Sequence, residues 1–232
     1  MSDPIPTGCD TVDELLGGGF ERGAVTQLYG PPAAGKTNLA LAACVEVAAC
    51  GGIALYIDTE GVSPDRFEQL ARSHAREGQT VDDIAGRVVI TDALDFAEQE
   101  EAVRDAEEFA ERVGLVVLDS ATGFYRLERD GSDGGETLRA VARQVTHLLG
   151  LARQHDLAVV ITNQVFADPE SESDRVRPLG GNTLTHWSGV VLRVERFRGG
   201  NRRATLEKHR SKPAGEATRF RITGEGLAGV EE

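Results

Sequence analysis

The chain has 232 residues, 40% of them hydrophobic, enough to bury a sizeable α/β core without disulfide staples or a structural metal. No apolar run approaches the roughly 20 residues that cross a bilayer, and the amino terminus MSDPIPTGCD lacks the charged-then-apolar layout of a signal peptide; both features argue against membrane and secreted classes and for a cytoplasmic protein. The formal net charge is -13, carboxylates are spread through every helical segment, and only Lys36, Lys208 and Lys212 are lysines among 25 Lys and Arg; this whole-surface acidity suits a halophile and leaves the sign of any local patch open.

Read in chain order, ELLGGGF closes a short amino-terminal helix at residues 17–19, with no Lys-Ser/Thr following to make those glycines a phosphate loop. Strands are predicted at VTQLYG (25–30), IALYID (53–58), RVVIT (87–91), LVVLD (115–119) and LAVVITNQV (157–165), with helices at 36–49, 64–77, 95–113 and 136–155. Nearly continuous apolar strands alternating with helices imply a mostly parallel sheet sandwiched by helices. After Val165 the pattern changes: GVVLRVERF, the turn GGN, RATLEKHR and TRFRIT predict an antiparallel carboxy-terminal extension at the sheet's edge. No repeat or linker interrupts the chain, so residues 1–232 are expected to form a single core domain. Cys9, Cys44 and Cys50 are too scattered for a disulfide framework and are expected as small buried residues. The long loops at 122–135 and 166–181 each follow the carboxyl end of a strand, where open α/β sheets bind ligands.

The segment GPPAAGKT, Gly30 to Thr37, matches G-x-x-x-x-G-K-[ST] between a strand and a helix. Gly30, Pro31, Pro32, Ala33, Ala34 and Gly35 form the loop whose backbone N–H groups face nucleotide phosphates; Lys36 reaches the β and γ oxygens, Thr37 ligates Mg2+, and Asn38 follows on the helix. ATP with Mg2+ is the implied cofactor pair. Asp119, ending the apolar strand LVVLD, is the second Mg2+ residue. Glu60 in YIDTEG is the candidate that orients the attacking water, with Asp58 its rival one alternation away. Gln164, at the mouth of another strand, either senses the γ-phosphate or satisfies backbone groups.

These motifs, in this order, resemble the RecA-type recombinase core of the archaeal and eukaryotic branch, over roughly residues 5–227: PTGCDTVDELLGGGFERGAVTQLYGPPAAGKT its opening segment, YIDTEG its catalytic-glutamate motif, VVLDSATGFYR its Walker B strand running into a first DNA loop, and VVITNQV with PLGGNTLTHW its second DNA loop and beyond. The resemblance implies a RecA-like P-loop ATPase core in which Lys36, Glu60 and Gln164 are catalytic, Thr37 and Asp119 hold the metal, and Arg66 lies against the nucleotide base. The chain begins at the core, without the amino-terminal helical domain of the full recombinases. Its first loop, RLERDGSDGGET, keeps Arg126 and Arg129 among acids, and the second, FADPESESDRVRP, is also acid-rich. A core-only chain of this kind is similar to the RadB family of short archaeal paralogues. That implies an accessory DNA-repair and recombination protein that binds ATP and DNA, hydrolyses ATP weakly, does not exchange strands itself, meets the main recombinase or junction-processing enzymes, and is a monomer or weak oligomer. A KaiC-like signalling ATPase or autokinase and a nucleotide-dependent interaction module are the alternatives.

One basic knot stands out, EKHRSKP at 207–213. Alternation along a strand puts Lys208 and Arg210 on one face with His209 opposite, which suits two neighbouring DNA phosphates, joined by Lys212. The competing readings are a cationic finger reaching a neighbour's γ-phosphate, and an edge strand carrying Lys against aggregation.

Overall fold

The computed structural model describes residues 2–124, 134–166, 177–179 and 181–230. In chain order its elements are α1 (Asp10–Leu16), β1 (Val25–Tyr29), α2 (Lys36–Ala49), β2 (Ala54–Asp58), α3 (Pro64–His74), α4 (Val81–Ala85), β3 (Val88–Asp92), α5 (Phe96–Phe109), β4 (Leu115–Asp119) and α6 (Gly134–His155). There follow β5 (Ala158–Asn163), β6 (Val165–Phe166), β7 (Arg177–Pro178), α7 (Asn182–Trp187), β8 (Val190–Arg196), a 3-10 turn (Arg198–Gly200), β9 (Arg202–Lys208), β10 (Ala217–Thr223) and β11 (Gly226–Val230).

Among the described residues nine strands form one sheet in the order β11-β10-β9-β8-β1-β5-β4-β2-β3, parallel from β8 to β3 and antiparallel from β8 to β11. Strand periodicity divides the core. Ala54, Tyr56, Leu115, Val117, Val160, Leu192 and Val194 pack with α1 to α4 on one face, while Leu55, Ile57, Val116, Leu118, Val159 and Ile161 pack with α5 to α7 on the other. Both faces are covered, which is why β1, β2, β4 and β5 are apolar almost throughout and buried along their length. Helix α2 is Ala-rich and runs so close to the sheet that Ala40, Ala42, Ala43 and Cys44 are all fully buried.

Of the predicted helices, 36–49 is met as read and 136–155 starts two residues earlier, while the other two stop short of their expected ends. At α3 the chain turns to extended backbone at Ala75 (φ -59, ψ 127), so residues 75–77 are outside the helix. The 95–113 expectation resolves into α5, with Asp95 as N-cap accepting from the Glu98 N–H at 2.8 Å. Helix α1 ends as read: Gly17 is left-handed at φ 89, and the Asp13 carbonyl accepts from both Gly17 N–H and Gly18 N–H. Two expectations are corrected. Strand β9 is interior, hydrogen-bonded to β8 and β10, and not the edge strand expected, although Lys208 itself lies past the last β10 partner, Thr205, and pairs only with Val191 of β8. Cys50 is exposed, with its sulfur 2.7 Å from an Arg76 nitrogen, whereas Cys9 and Cys44 are buried as expected.

The amino-terminal helix carries a pH-sensitive joint. Asp13 accepts the Thr7 N–H at 2.7 Å, yet burial pushes its carboxyl up to about 6, because losing water costs the charged form more than that bond returns. The protonated carboxyl therefore contributes stability that is present below its ordinary value of 3.8 and is lost as pH rises through about 6. Asp13→Asn, permanently neutral with the same acceptor oxygen, is expected to exceed the wild type in denaturation midpoint at pH 7.5 and to match it near pH 4, measured by urea titration in high salt.

Candidate functional site

The carboxyl ends of β1, β2, β4 and β5 converge on one cavity of about 290 Å³, whose lining includes Lys36, Thr37, Asn38, Glu60, Gln164 and Pro32. Gly30 leaves β1 in the left-handed half of backbone space (φ 157), and a Cβ there would lie 1.9 Å from the Val194 carbonyl oxygen on β8, so the loop admits only glycine at that point. Ala33 (φ 56) and Gly35 (φ 113) complete the turn into α2. No side chain caps the amino end of α2, which leaves its first N–H groups to a ligand anion. Pro31 and Ala34 shape the loop from behind; Ala34 is buried and donates to the Pro31 carbonyl.

Lys36 is only 7% exposed, and its ammonium donates to the carbonyls of Gly30 at 2.9 Å and Pro31 at 3.2 Å. Burial pulls its pKa down, and the carboxylates of Glu60 and Asp119 pull it back. A buried cation held by neutral carbonyls at the mouth of an uncapped helix fits a phosphate group. Asp119 is buried, so its carboxyl is pushed up; hydrogen bonds from Thr162, Tyr56 (2.5 Å) and Thr37 work in the other direction. Thr37 and Asp119 thus share one subsite. Among the described residues no three His, Cys, Asp or Glu side chains converge, so a hard cation beside Thr37 and Asp119 would take its remaining oxygens from phosphate and water, as Mg2+ does.

Asp58 and Glu60 differ in their surroundings. Asp58 is buried and occupied by its own turn, accepting the N–H groups of Glu60 (3.1 Å), Gly61 (2.9 Å) and Val62 (2.5 Å). That turn aims Glu60 into the cavity, where its Oε1 accepts from Ser120 Oγ at 2.9 Å and Gln164 Nε2 at 2.8 Å. The Gln164 backbone bonds Thr122 Oγ1 and, through its carbonyl, the Leu179 N–H at 2.8 Å, so one residue joins Glu60 to the far end of the second long loop. Arg66 stands apart: its guanidinium edges are taken by Asn38 Oδ1 (2.6 Å), Gln69 and the carbonyls of Thr223 and Gly226, clamping α3 to the β10–β11 hairpin with Asn38 as its link to the cavity.

Ser120, Arg196, Arg202 and Ile222 were missed by sequence reasoning. Ser120 adjoins the Walker B aspartate and had a signal in that adjacency. The other three line the cavity from the antiparallel extension, and only the parallel pairing of β8 with β1 brings them there.

The basic knot lies at the opposite end of the sheet. Lys208 pairs with Val191, whose β1 partner is Gln27, and the chain then runs on toward Gly23 and Ala24 at the amino end of β1. There Lys208 and Arg210 line a groove of about 350 Å³ with Arg153, His186 and Trp187. Lys208 donates to the carbonyls of Thr185 and His186 at the end of α7, and Arg210 to Glu21 at 2.7 Å with 51% of its side chain exposed. The strand ends at Lys208, so alternation does not govern the residues beyond it, yet Lys208 and Arg210 do share the groove. His209 turns away, its side chain 2% exposed and 3.9 Å from Glu21. Lys212 is folded onto the Glu14 and Leu15 carbonyls at 3.0 and 2.8 Å, where it caps α1 instead of facing the groove. Arg126 and Arg129 lie outside the described residues.

Comparison with known proteins gives a consistent picture. The model of the Rad51 family matches residues 4–230. The chain is 61% identical over 224 residues to the DNA repair and recombination protein RadB of Halobacterium salinarum, covering 96% of this chain and 94% of that one. With its counterpart from Methanococcoides burtonii the identity is 42% over 229 residues, 98% of each. A crystal structure described as the RadB recombinase superposes with a TM-score of 0.81 at 36% identity, covering 98% of this chain and all of that one.

The Lys212 cap generates a prediction. Lys212→Met keeps the aliphatic stem and removes the ammonium from the α1 carboxyl end, so the denaturation midpoint should fall by an amount equivalent to about 0.5–1 kcal/mol, measured by urea titration.

Proposed function

This chain belongs to the Rad51 family, among its RadB members, and from that premise we propose that it works in DNA repair and recombination as a slow ATPase core that binds ATP with Mg2+ and contacts DNA. The observation that carries the nucleotide half is the convergence of Lys36, Thr37, Glu60 and Gln164 on one cavity with Asp119 beneath it. The loop from Gly30 to Gly35 and the amino end of α2 bind the phosphates, and Lys36 balances their charge. Thr37 and Asp119 are the residues that would hold Mg2+, which would supply charge neutralisation for the phosphates.

Glu60 holds the attacking water. As the water oxygen bonds to the γ-phosphorus, the bond from phosphorus to the bridging oxygen breaks, its electron pair leaves with ADP, and the water proton passes to the Glu60 carboxylate. Ser120 and Gln164 fix the orientation of that carboxylate; Gln164 exchanges its Glu60 bond for a γ-phosphate oxygen and so reports the nucleotide's state toward Leu179. For Arg66 the proposal is a flat guanidinium offered to the base, its edges already satisfied.

For DNA, the support is the groove holding Lys208, Arg210 and Arg153 with Trp187, a local cationic surface on a chain of net charge -13. Acid-rich sequence in both long loops leaves this groove as the principal phosphate contact, which fits an accessory role better than strand exchange. Among the described residues no helix is long and apolar enough to cross a membrane.

Lys36→Ala should abolish ATP binding, whereas Glu60→Gln should keep it and lower turnover by at least roughly 10²-fold; an undiminished rate in purified Glu60→Gln removes Glu60 from the water-activating role. Replacing Lys208 and Arg210 together with Ala should weaken binding of a fluorescent oligonucleotide and flatten its salt dependence by about two phosphate contacts' worth. Normal DNA binding by that variant would sink the assignment of the groove.

A further inference from the structure

Strands β8 and β9 carry their charges in two different ways. On one face Arg193 is paired with Glu207 at 3.4 Å and Glu195 at 3.9 Å, and Arg203 with Glu195 at 3.7 Å. On the other face, which packs toward α2, the sequence runs Leu192, Val194, Arg196 along β8 and Arg202, Ala204, Leu206 along β9. Arg196 and Arg202 are direct cross-strand partners at the end nearest the phosphate loop. Like charges placed opposite each other in a ladder repel, and among the described residues neither forms an ion pair with a carboxylate.

Both arginines touch backbone instead. Arg196 Nε donates to the Ala33 carbonyl, inside the phosphate loop, at 3.3 Å. Arg202 donates to the carbonyls of Gly200 (2.6 Å) and Asn201 (3.4 Å), and its Nε is buried without an acceptor. Both line the cavity that holds Lys36, Glu60 and Gln164. A very acidic chain has here kept two uncompensated cations side by side, with an unmet donor, at the mouth of its anion site.

We propose that Arg196 and Arg202 form an anion clamp in cis, engaging the terminal phosphate of a bound nucleoside triphosphate across the cavity from Lys36. This rests on the nucleotide-site reading above and extends it: the cation that stabilises charge on the transferring γ-phosphoryl group comes from the same chain. Lys208 and Arg210, at the far end of the sheet, cannot supply it within one chain. The clamp discriminates ATP from ADP, because only the triphosphate places charge beside the pair, and hydrolysis needs no neighbouring copy.

The test is calorimetric titration of the full chain with ADP and with the β,γ-imido analogue of ATP. It compares the wild type, Arg196→Gln, Arg202→Gln, the double variant, and Arg198→Gln, an exposed control outside the cavity. The double variant should lose roughly tenfold or more in affinity for the triphosphate analogue and under about twofold for ADP, with Arg198→Gln unchanged. Its ATP turnover should fall by roughly 10²-fold, and wild-type turnover per molecule should stay constant as protein concentration rises. Arg196 is exposed, so its single variant reads the same preference for triphosphate even if the double variant folds poorly. An unaltered ratio of triphosphate to diphosphate affinity in Arg196→Gln and Arg202→Gln overturns the clamp. So does wild-type turnover that climbs with concentration and is lost in the Lys208 and Arg210 variant, since the cation is then a neighbour's. A wild type that binds neither nucleotide overturns the parent reading instead, a result the ADP titration separates from loss of the clamp alone.

Discussion

The approach of Gly30 to the Val194 carbonyl is the contact on which the site depends. With a Cβ only 1.9 Å from that oxygen, no other residue fits, so the start of the phosphate loop is pressed against the strand that follows the second long loop. This closeness is a product of the parallel β1–β8 pairing, in which Tyr29 sits opposite Arg193, one residue before Val194. The phosphate loop is therefore built from two distant stretches of sequence, and the carboxy-terminal extension supplies a wall of the cavity as well as additional strands.

From that junction the molecule sets two cation-lined cavities at opposite ends of one sheet. At the carboxyl ends of the parallel strands, a buried lysine and an uncapped helix make a small cationic pocket with a carboxylate placed across it. At the amino end of β1, Lys208 and Arg210 border an open groove with Arg153 and an aromatic ring. The chain's net charge of -13 sets both apart, since dispersed carboxylates repel polyanions except where cations are concentrated. Each lysine has a specific station: Lys36 in the loop, Lys208 at the groove, Lys212 on the end of α1.

How much of this the sequence revealed depends on the range of the interaction involved. The core strands were legible because burial on both faces leaves an apolar run, and the phosphate loop because its chemistry is local. The helix read as 64–77 was overextended because propensity gives no sign of the turn to extended backbone at Ala75. Asp58 and Glu60 were inseparable by alternation; three backbone N–H groups converging on Asp58 separate them, and a turn of that kind shows only in three dimensions. Lys212 looked like part of a basic cluster by adjacency, but its partners are 197 and 198 residues away. Arg196 and Arg202 carried a usable signal, two arginines flanking a Gly-Gly-Asn turn, though nothing local places that hairpin beside the loop.

The lacing of the last strands onto the first helix also bears on synthesis. Thr11 donates to the Arg219 carbonyl, Lys212 caps α1, and Arg66 grips the carbonyls of Thr223 and Gly226. A chain leaving the ribosome amino end first carries Lys36 and Thr37 early, but lacks the cavity wall of Arg196, Arg202 and Ile222 until β10 has emerged. The cavity is then closed only once these late strands have docked onto α1 and α3.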